Sequence, residues 1–232
     1  MNKQVFCVLG MHRSGTSCLT GSLQNAGVYL GNHSTWNPHN LRGNRENADI
    51  VEFHDRLLAD NIGSWDQPPT LVKWRAEHYE TARGFISSFN NSAAPCWGFK
   101  DPRTLLALDG WLELLPDLQM IGIFRHPAAV VRSIRKRGGG FSQEDILRIW
   151  NHYNKRLLVY RHKYDFPLLS FDWEEAILQQ KLNDALRVLG LATEPSHAPF
   201  FTNDLRSNLH DSAAELPEDV ALTYQQLIDL TL

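Results

Sequence analysis

A five-residue apolar run, Val5-Phe6-Cys7-Val8-Leu9, leads directly into Gly10-Met11-His12-Arg13-Ser14-Gly15-Thr16-Ser17, and few folds accommodate that order. A continuous apolar run rich in β-branched residues and closed by glycine is the pattern of a strand buried on both faces of a parallel sheet. Leu19, Leu23 and Ala26 then recur at helical spacing and Gly27 supplies a stop, so Ser14 to Ala26 reads as a helix. A strand, a glycine-bounded turn and a helix in this order predict an α/β architecture. In such a sheet, ligands bind at the carboxyl ends of the strands.

Similar units follow. Cys96 to Lys100 is a short apolar run behind Pro95. Pro102 opens a helical stretch carrying Leu105, Leu106, Leu108, Trp111, Leu112 and Leu115, which Pro116 ends. Met120 to Phe124 reads as a third strand, and Pro127 stands where the first residue of the next helix belongs, with Val130, Val131 and Ile134 facing inward. Gly138-Gly139-Gly140 breaks that helix, and Ser142 with Asp145 starts a long one carrying Ile146, Ile149, Tyr153, Leu157 and Tyr160. Pro167 to Phe171 is the fourth strand. Asp172 is the expected cap of a helix that runs to Leu189 and stops at Gly190, and Val220 to Leu230 reads as a last helix. Two segments stand outside the repeating unit: Tyr29 to Arg45 (29–45), and Gly63 to Pro95 (63–95) with a helix around Arg75 to Phe89. Insertions at the ligand end of a sheet cover the site or select the substrate. The expectation is one α/β domain over residues 1–232, a central parallel β-sheet flanked by helices in the three-layer α/β/α manner of P-loop NTPases.

With 43% hydrophobic and 21% charged residues, disorder is excluded as the main state. A net charge of −3 gives no general field for nucleic acid or an anionic membrane, so neither is an expected partner and any anion site must be built locally. Cys7, Cys18 and Cys96 form no CxxC pair and read as reduced, packed thiols. The first apolar run is too short for a signal peptide and no run spans a bilayer, which predicts a cytoplasmic chain. Ten histidines show no HExxH or paired spacing, so no metal is expected. His12, His33, His39 and His54 read as acceptor contacts or surface residues.

The loop from Gly10 to Ser17 has the glycine spacing of a phosphate-binding loop, in which successive backbone N–H groups and a helix N-terminus hold an anion. A tight turn before a Ser/Thr-capped helix is the plainer alternative. The lysine that a nucleotide triphosphatase places after the second glycine is Thr16 here, and the cation stands at Arg13.

The loop Arg13-Ser14-Gly15-Thr16-Ser17, the segment Gly98-Phe99-Lys100-Asp101-Pro102-Arg103 and Arg125-His126-Pro127 followed by Ser133 together resemble the sulfotransferases that use 3′-phosphoadenosine 5′-phosphosulfate (PAPS). The resemblance implies that Arg13, Ser14, Gly15, Thr16 and Ser17 hold the 5′-phosphosulfate. It implies that Arg125 and Ser133 hold the 3′-phosphate, and that Lys100 lies beside the transferring group. PAPS would be the co-substrate and 3′-phosphoadenosine 5′-phosphate (PAP) the product, with no metal required. The Arg-Lys-Gly loop of cytosolic members is absent, and Arg206 is its candidate substitute. Glu46, in bacterial-type manner, is the candidate base and Asp101 its rival, completing a catalytic set with Lys100 and Arg13. His39 and His54 stand in reserve.

Each assignment has a plainer reading. Arg125 would form a strand-end salt bridge and Lys100 lie on the surface. Glu46 would be an acidic residue in the first turn of a helix from Asn47 to Asp60, and Asp101 a cap for the Pro102-led helix. Arg132, Arg135, Lys136 and Arg137 read as a solvated helix face. Trp36, Trp65, Trp74 and Tyr79 suit stacking on a small-molecule or carbohydrate acceptor, or core packing. The rival functions are a P-loop small-molecule kinase and a non-catalytic nucleotide-binding protein.

Overall fold

The computed structural model describes residues 3–36, 43–138, 140–191 and 216–232. Four parallel strands, β1 (Gln4–Leu9), β2 (Cys96–Lys100), β3 (Gln119–Phe124) and β4 (Leu168–Ser170), form one sheet in the order β2-β1-β3-β4. Val8 lies opposite Lys100, Leu9 opposite Gly122 and Phe124 opposite Ser170, so the strands end at nearly one level. The loop after the central β1 therefore lies between the ends of β2 and β3.

The two-residue alternation of strands divides the interior into two cores. Phe6, Val8, Ile121, Ile123 and Leu169 face α1 (Thr16–Asn25) and α7 (Glu175–Val188), meeting Leu19, Leu23, Leu178, Leu182 and Leu186. Val5, Cys7, Leu9, Met120, Phe124 and Leu168 point the other way. There they meet α2 (Ala48–Asp60), α3 (Ala76–Asn90), α4 (Thr104–Leu114), α5 (Pro127–Arg135), α6 (Gln143–Lys163) and α8 (Glu218–Asp229). This is the expected three-layer α/β/α arrangement. Trp74 belongs to the larger core: its ring packs 5.4 Å from Phe53 and 5.7 Å from Trp111, and its indole donates to the Ala107 carbonyl. Cys7 and Cys18 are buried, Cys96 is half-buried, and all three are free thiols, as expected. Among the described residues no helix is long and apolar enough to cross a membrane.

Three local expectations give way to tertiary contacts. Helix α1 starts at Thr16 rather than Ser14, because Gly15 at φ 91 occupies the left-handed region. Asp172 does not cap α7. Its carboxylate turns back to accept the backbone N–H of His126 at 2.5 Å, and Glu174 precedes the helix without a side-chain cap. Glu46 lies outside α2, whose N-cap is Asn47, with its Oδ1 accepting from Asp49 and Ile50. The Glu46 carbonyl accepts the Ser34 N–H at 3.0 Å, pairing the end of one insertion with its beginning.

Candidate active site

The glycines of the loop are fixed by contact on opposite sides. A Cβ on Gly10 would lie 2.4 Å from the Ile123 carbonyl oxygen, and one on Gly15 would lie 2.2 Å from the Phe171 ring. Between them Arg13 adopts φ 68, unusual for a residue with a side chain, and the Ser14 N–H reaches the Met11 carbonyl at 3.3 Å. Thr16 is buried, and the Ser17 hydroxyl donates to the Asn44 carbonyl at 3.1 Å, tying the loop to the first insertion. Ser14 Oγ and His12 Nε2 are buried with no hydrogen-bond partner. Polar atoms without water or a partner are uncommon in native interiors, and here both lie in the loop between β1 and α1. The His12 ring is not on the surface but packs 4.9 Å from Trp65 and 5.9 Å from Tyr153.

Lys100 ends β2 with its ammonium buried, not on the surface, and donates to Glu46 Oε1 at 2.7 Å. The Glu46 side chain keeps 19% of its surface exposed. Asp101, one residue on, is enclosed. Its Oδ2 accepts from His54 Nδ1 at 2.8 Å, and its Oδ1 accepts from the Arg103 guanidinium at 3.0 Å and the Arg103 backbone N–H at 3.1 Å. The last contact closes a turn ahead of α4, which starts at Thr104 with Arg103 as its N-cap and no side-chain cap, so Asp101 does not cap that helix as its plainer reading expected. Burial opposes ionisation of Asp101, but the His54 N–H and Arg103 outweigh it and hold the carboxyl well below the usual range. The Trp111 indole, which can only donate, gives its N–H to His54 Nε2 at 2.9 Å. His54 therefore carries its proton on Nδ1, and neither nitrogen is left to act as a base.

Arg125 follows β3 and is buried, with its carbonyl accepting from Trp150 Nε1 at 3.0 Å. Its guanidinium lies over the Phe171 ring at 5.2 Å, and Asp172 is a loose ionic partner at 3.8 Å, the strand-end contact expected as the alternative. Ser133, buried in α5, accepts from Arg13 Nε at 2.8 Å. The structure thus brings Arg13, Ser14, Gly15, Thr16, Ser17, Glu46, Lys100, Asp101, Arg125 and Ser133 to the carboxyl ends of the strands. Arg206 and His39 lie outside the described residues. Arg13 is lowered to about 10, by burial first and then by the positive charges of Arg137 and Arg125.

Among the described residues, one group gathers three metal-ligand types, Asp60, Glu77 and His78. There His78 Nδ1 accepts the Arg75 backbone N–H at 3.0 Å and Nε2 faces Asp60 at 2.9 Å, so the histidine serves to cap α3.

The family model described as the sulfotransferase family matches residues 5–195. The chain belongs to the sulfotransferase family. Solved structures agree at the level of fold. The sulfotransferase domain from the curacin biosynthetic pathway superposes with a TM-score of 0.61 at 16% identity, covering 97% of this chain and 98% of that one. The sulfotransferase domain of the Synechococcus PCC 7002 olefin synthase gives 0.57 at 17%, covering 98% and 94%. A sulfotransferase from Alicyclobacillus acidocaldarius gives 0.57 at 15%, covering 99% and 96%. A search of curated protein sequences found no match.

Sequence reasoning about this sulfotransferase missed two features. One is the enclosure of Asp101 by His54, Arg103 and, through Arg103, Asp55 at 2.6 Å. Arg103 is two residues away, but His54, 47 residues earlier, and Asp55 come from α2, and no local pattern announces them. The other is Arg137, expected on a solvated helix face but half-buried, with Nε and Nη2 shielded from solvent.

Proposed function

We propose that this sulfotransferase moves the sulfuryl group of PAPS in line to a hydroxyl or amine acceptor without a metal. The observation that carries the reading is the contact of Lys100 with Glu46 at 2.7 Å beside a phosphate-type loop that has Arg13 in place of the usual lysine. The acceptor oxygen forms a bond to sulfur while the bond from sulfur to the bridging phosphate oxygen breaks, and its electron pair leaves with PAP. Glu46, beside Lys100 and partly open to solvent, takes the acceptor proton. Lys100 and Arg13 neutralise the charge that develops on the sulfuryl and bridging oxygens. The loop N–H groups with Ser14, Thr16 and Ser17 hold the 5′-phosphosulfate, and Arg125 with Ser133 holds the 3′-phosphate. Asp101 suits the base role less well, because three donors already occupy its oxygens. The two insertions would cover the acceptor, a reading supported by the contact of Ser17 with the first and of Trp65 in the second with His12.

The test is a thermal-shift comparison of PAP, ADP and ATP with and without magnesium. PAP without magnesium should stabilise the protein by about 2.7 kcal/mol at a hundred times its Kd, and ATP much less. Stabilisation only by ATP with magnesium would turn the reading to a kinase. PAP binding without transfer from PAPS to any of a panel of alcohols and amines would turn it to a non-catalytic binding protein.

A further inference from the structure

The stretch of chain that carries Glu46 and α2 meets the end of β2 at two points, and only one of them belongs to the chemistry proposed above. Glu46, immediately ahead of the Asn47 cap, meets the ammonium of Lys100 at 2.7 Å. Farther along, His54 donates from Nδ1 to Oδ2 of the next strand-end residue, Asp101, at 2.8 Å, with both side chains fully buried. The neighbouring Asp55 pairs with the Arg103 guanidinium at 2.6 Å, and Arg103 holds the other oxygen of Asp101 at 3.0 Å. Two consecutive residues, Lys100 and Asp101, are thus gripped by one helix and the residue just before it.

Apolar packing alone sets that alignment loosely. Ile50, Phe53, Leu57 and Leu58 bury one face of α2, and apolar attraction is non-directional, so it holds the helix down without selecting its position along its own axis. Hydrogen bonds do select it, because they weaken steeply as distance and angle depart from the optimum. A buried charged pair adds little stability over well-packed apolar residues of the same size, so alignment is what its replacement would lose. Trp111 completes the arrangement. By donating to His54 Nε2 at 2.9 Å it leaves the imidazole proton on Nδ1, the atom facing Asp101. The Asn47 side chain accepts from Asp49 and Ile50, so the helix is regular up to the residue that follows Glu46.

We infer that His54, with Asp55 acting through Arg103, is a positioning residue for sulfuryl transfer: by holding Asp101 it fixes α2 along β2 and so sets Glu46 against Lys100. This rests on the sulfuryl-transfer reading above and adds to it residues that govern the rate of transfer rather than donor binding. PAP affinity is measured by calorimetry, and kcat and the KM for PAPS with whichever alcohol or amine of the panel the parent protein turns over fastest. The proteins compared are the parent, His54→Leu, His54→Asn and Asp55→Ala. His54→Leu should lower kcat by about 10- to 100-fold, the scale of a lost orienting partner, and leave the KM for PAPS and the PAP affinity within about twofold. His54→Asn carries an amide N–H on the atom that corresponds to Nδ1 and should restore most of that loss. Both variants take the acceptor from the Trp111 N–H, so a merely structural role would lower kcat and melting temperature together in both. Parent-like kcat in His54→Leu, equal loss in the two His54 variants, or PAP affinity falling in step with kcat overturns the proposal. If His54→Leu does not melt as a folded protein, Asp55→Ala, at a half-exposed position, decides: kcat lower by about three- to tenfold at unchanged PAP affinity supports the proposal, and parent-like kcat overturns it. A parent protein that transfers to no acceptor overturns the sulfuryl-transfer reading itself, before any variant is compared.

Discussion

Two carboxylates one strand end apart, Glu46 and Asp101, have different surroundings, and substitution should separate them. Glu46 has one strong partner, Lys100, and an open side. Glu46→Gln keeps the shape and an oxygen for Lys100 but removes the basicity, so acceptor-dependent release of PAP should fall by about 10²–10⁴-fold with melting temperature and PAP affinity near the parent's. Asp101→Asn removes the charge that His54 and Arg103 enclose; it should cost about 3–5 kcal/mol of stability, read as a lowered melting temperature or urea midpoint. A folded but inactive Asp101→Asn beside a fully active Glu46→Gln would transfer the base role to Asp101. The sequence showed Lys100 and Asp101 as neighbours but not their different fates, because a strand end gives no sign of which side chain a distant helix will meet. His54 and Trp111 decide that, and both are brought there by packing alone.

Short apolar runs disclosed the four strands described, since a strand buried on both faces has few alternatives to a continuous apolar sequence. Helix starts were less legible. Gly15 begins α1 through backbone conformation rather than a capping side chain, and Asp172 is drawn away by the His126 N–H. Glu46 is displaced from its helix by the pairing of Asn47 with His33. Each is a case in which a tertiary contact overrides a local rule. The join between β1 and α1 also carries a test. At Gly15 a methyl group would meet the Phe171 ring and force a side chain into φ 91. Gly15→Ala should cost about 2–5 kcal/mol in stability from left-handed strain and overpacking together, and should weaken PAP at least tenfold by deforming the loop. Chemical denaturation and calorimetry measure both; parent-like values would mean that the loop repacks freely around Phe171.

Across the whole molecule the net charge is −3, yet Arg13, Lys100 and Arg125 gather at one end of the sheet, where burial also acts on neighbouring histidines. His12 is held down to about 3, first by burial and then by Arg103, with Lys100 and Arg137 adding to the effect and Asp101 opposing it. Burial likewise lowers His126 and His152. At His12 between about pH 6.5 and 3, and at His126 and His152 below about pH 6.5, the unfolded chain therefore binds protons that the folded chain refuses, so stability rises with pH and falls on acidification. Asp101 works in the same direction at lower pH: its stabilising ionisation is complete above the unfolded carboxyl value of about 3.9 and is lost as pH falls toward its depressed folded value. One histidine that stays neutral when folded contributes a slope of at most about 1.4 kcal/mol per pH unit in the upper window. Urea midpoints taken from pH 7 to pH 4 should fall steadily for the parent protein. His12→Gln keeps a polar side chain that does not titrate, so its decline should be shallower by up to that slope, with His126 and His152 still contributing. Parallel curves for the two proteins would mean that the His12 ring takes up its proton while folded, and the packing of Trp65 and Tyr153 around it would then have to open in acid.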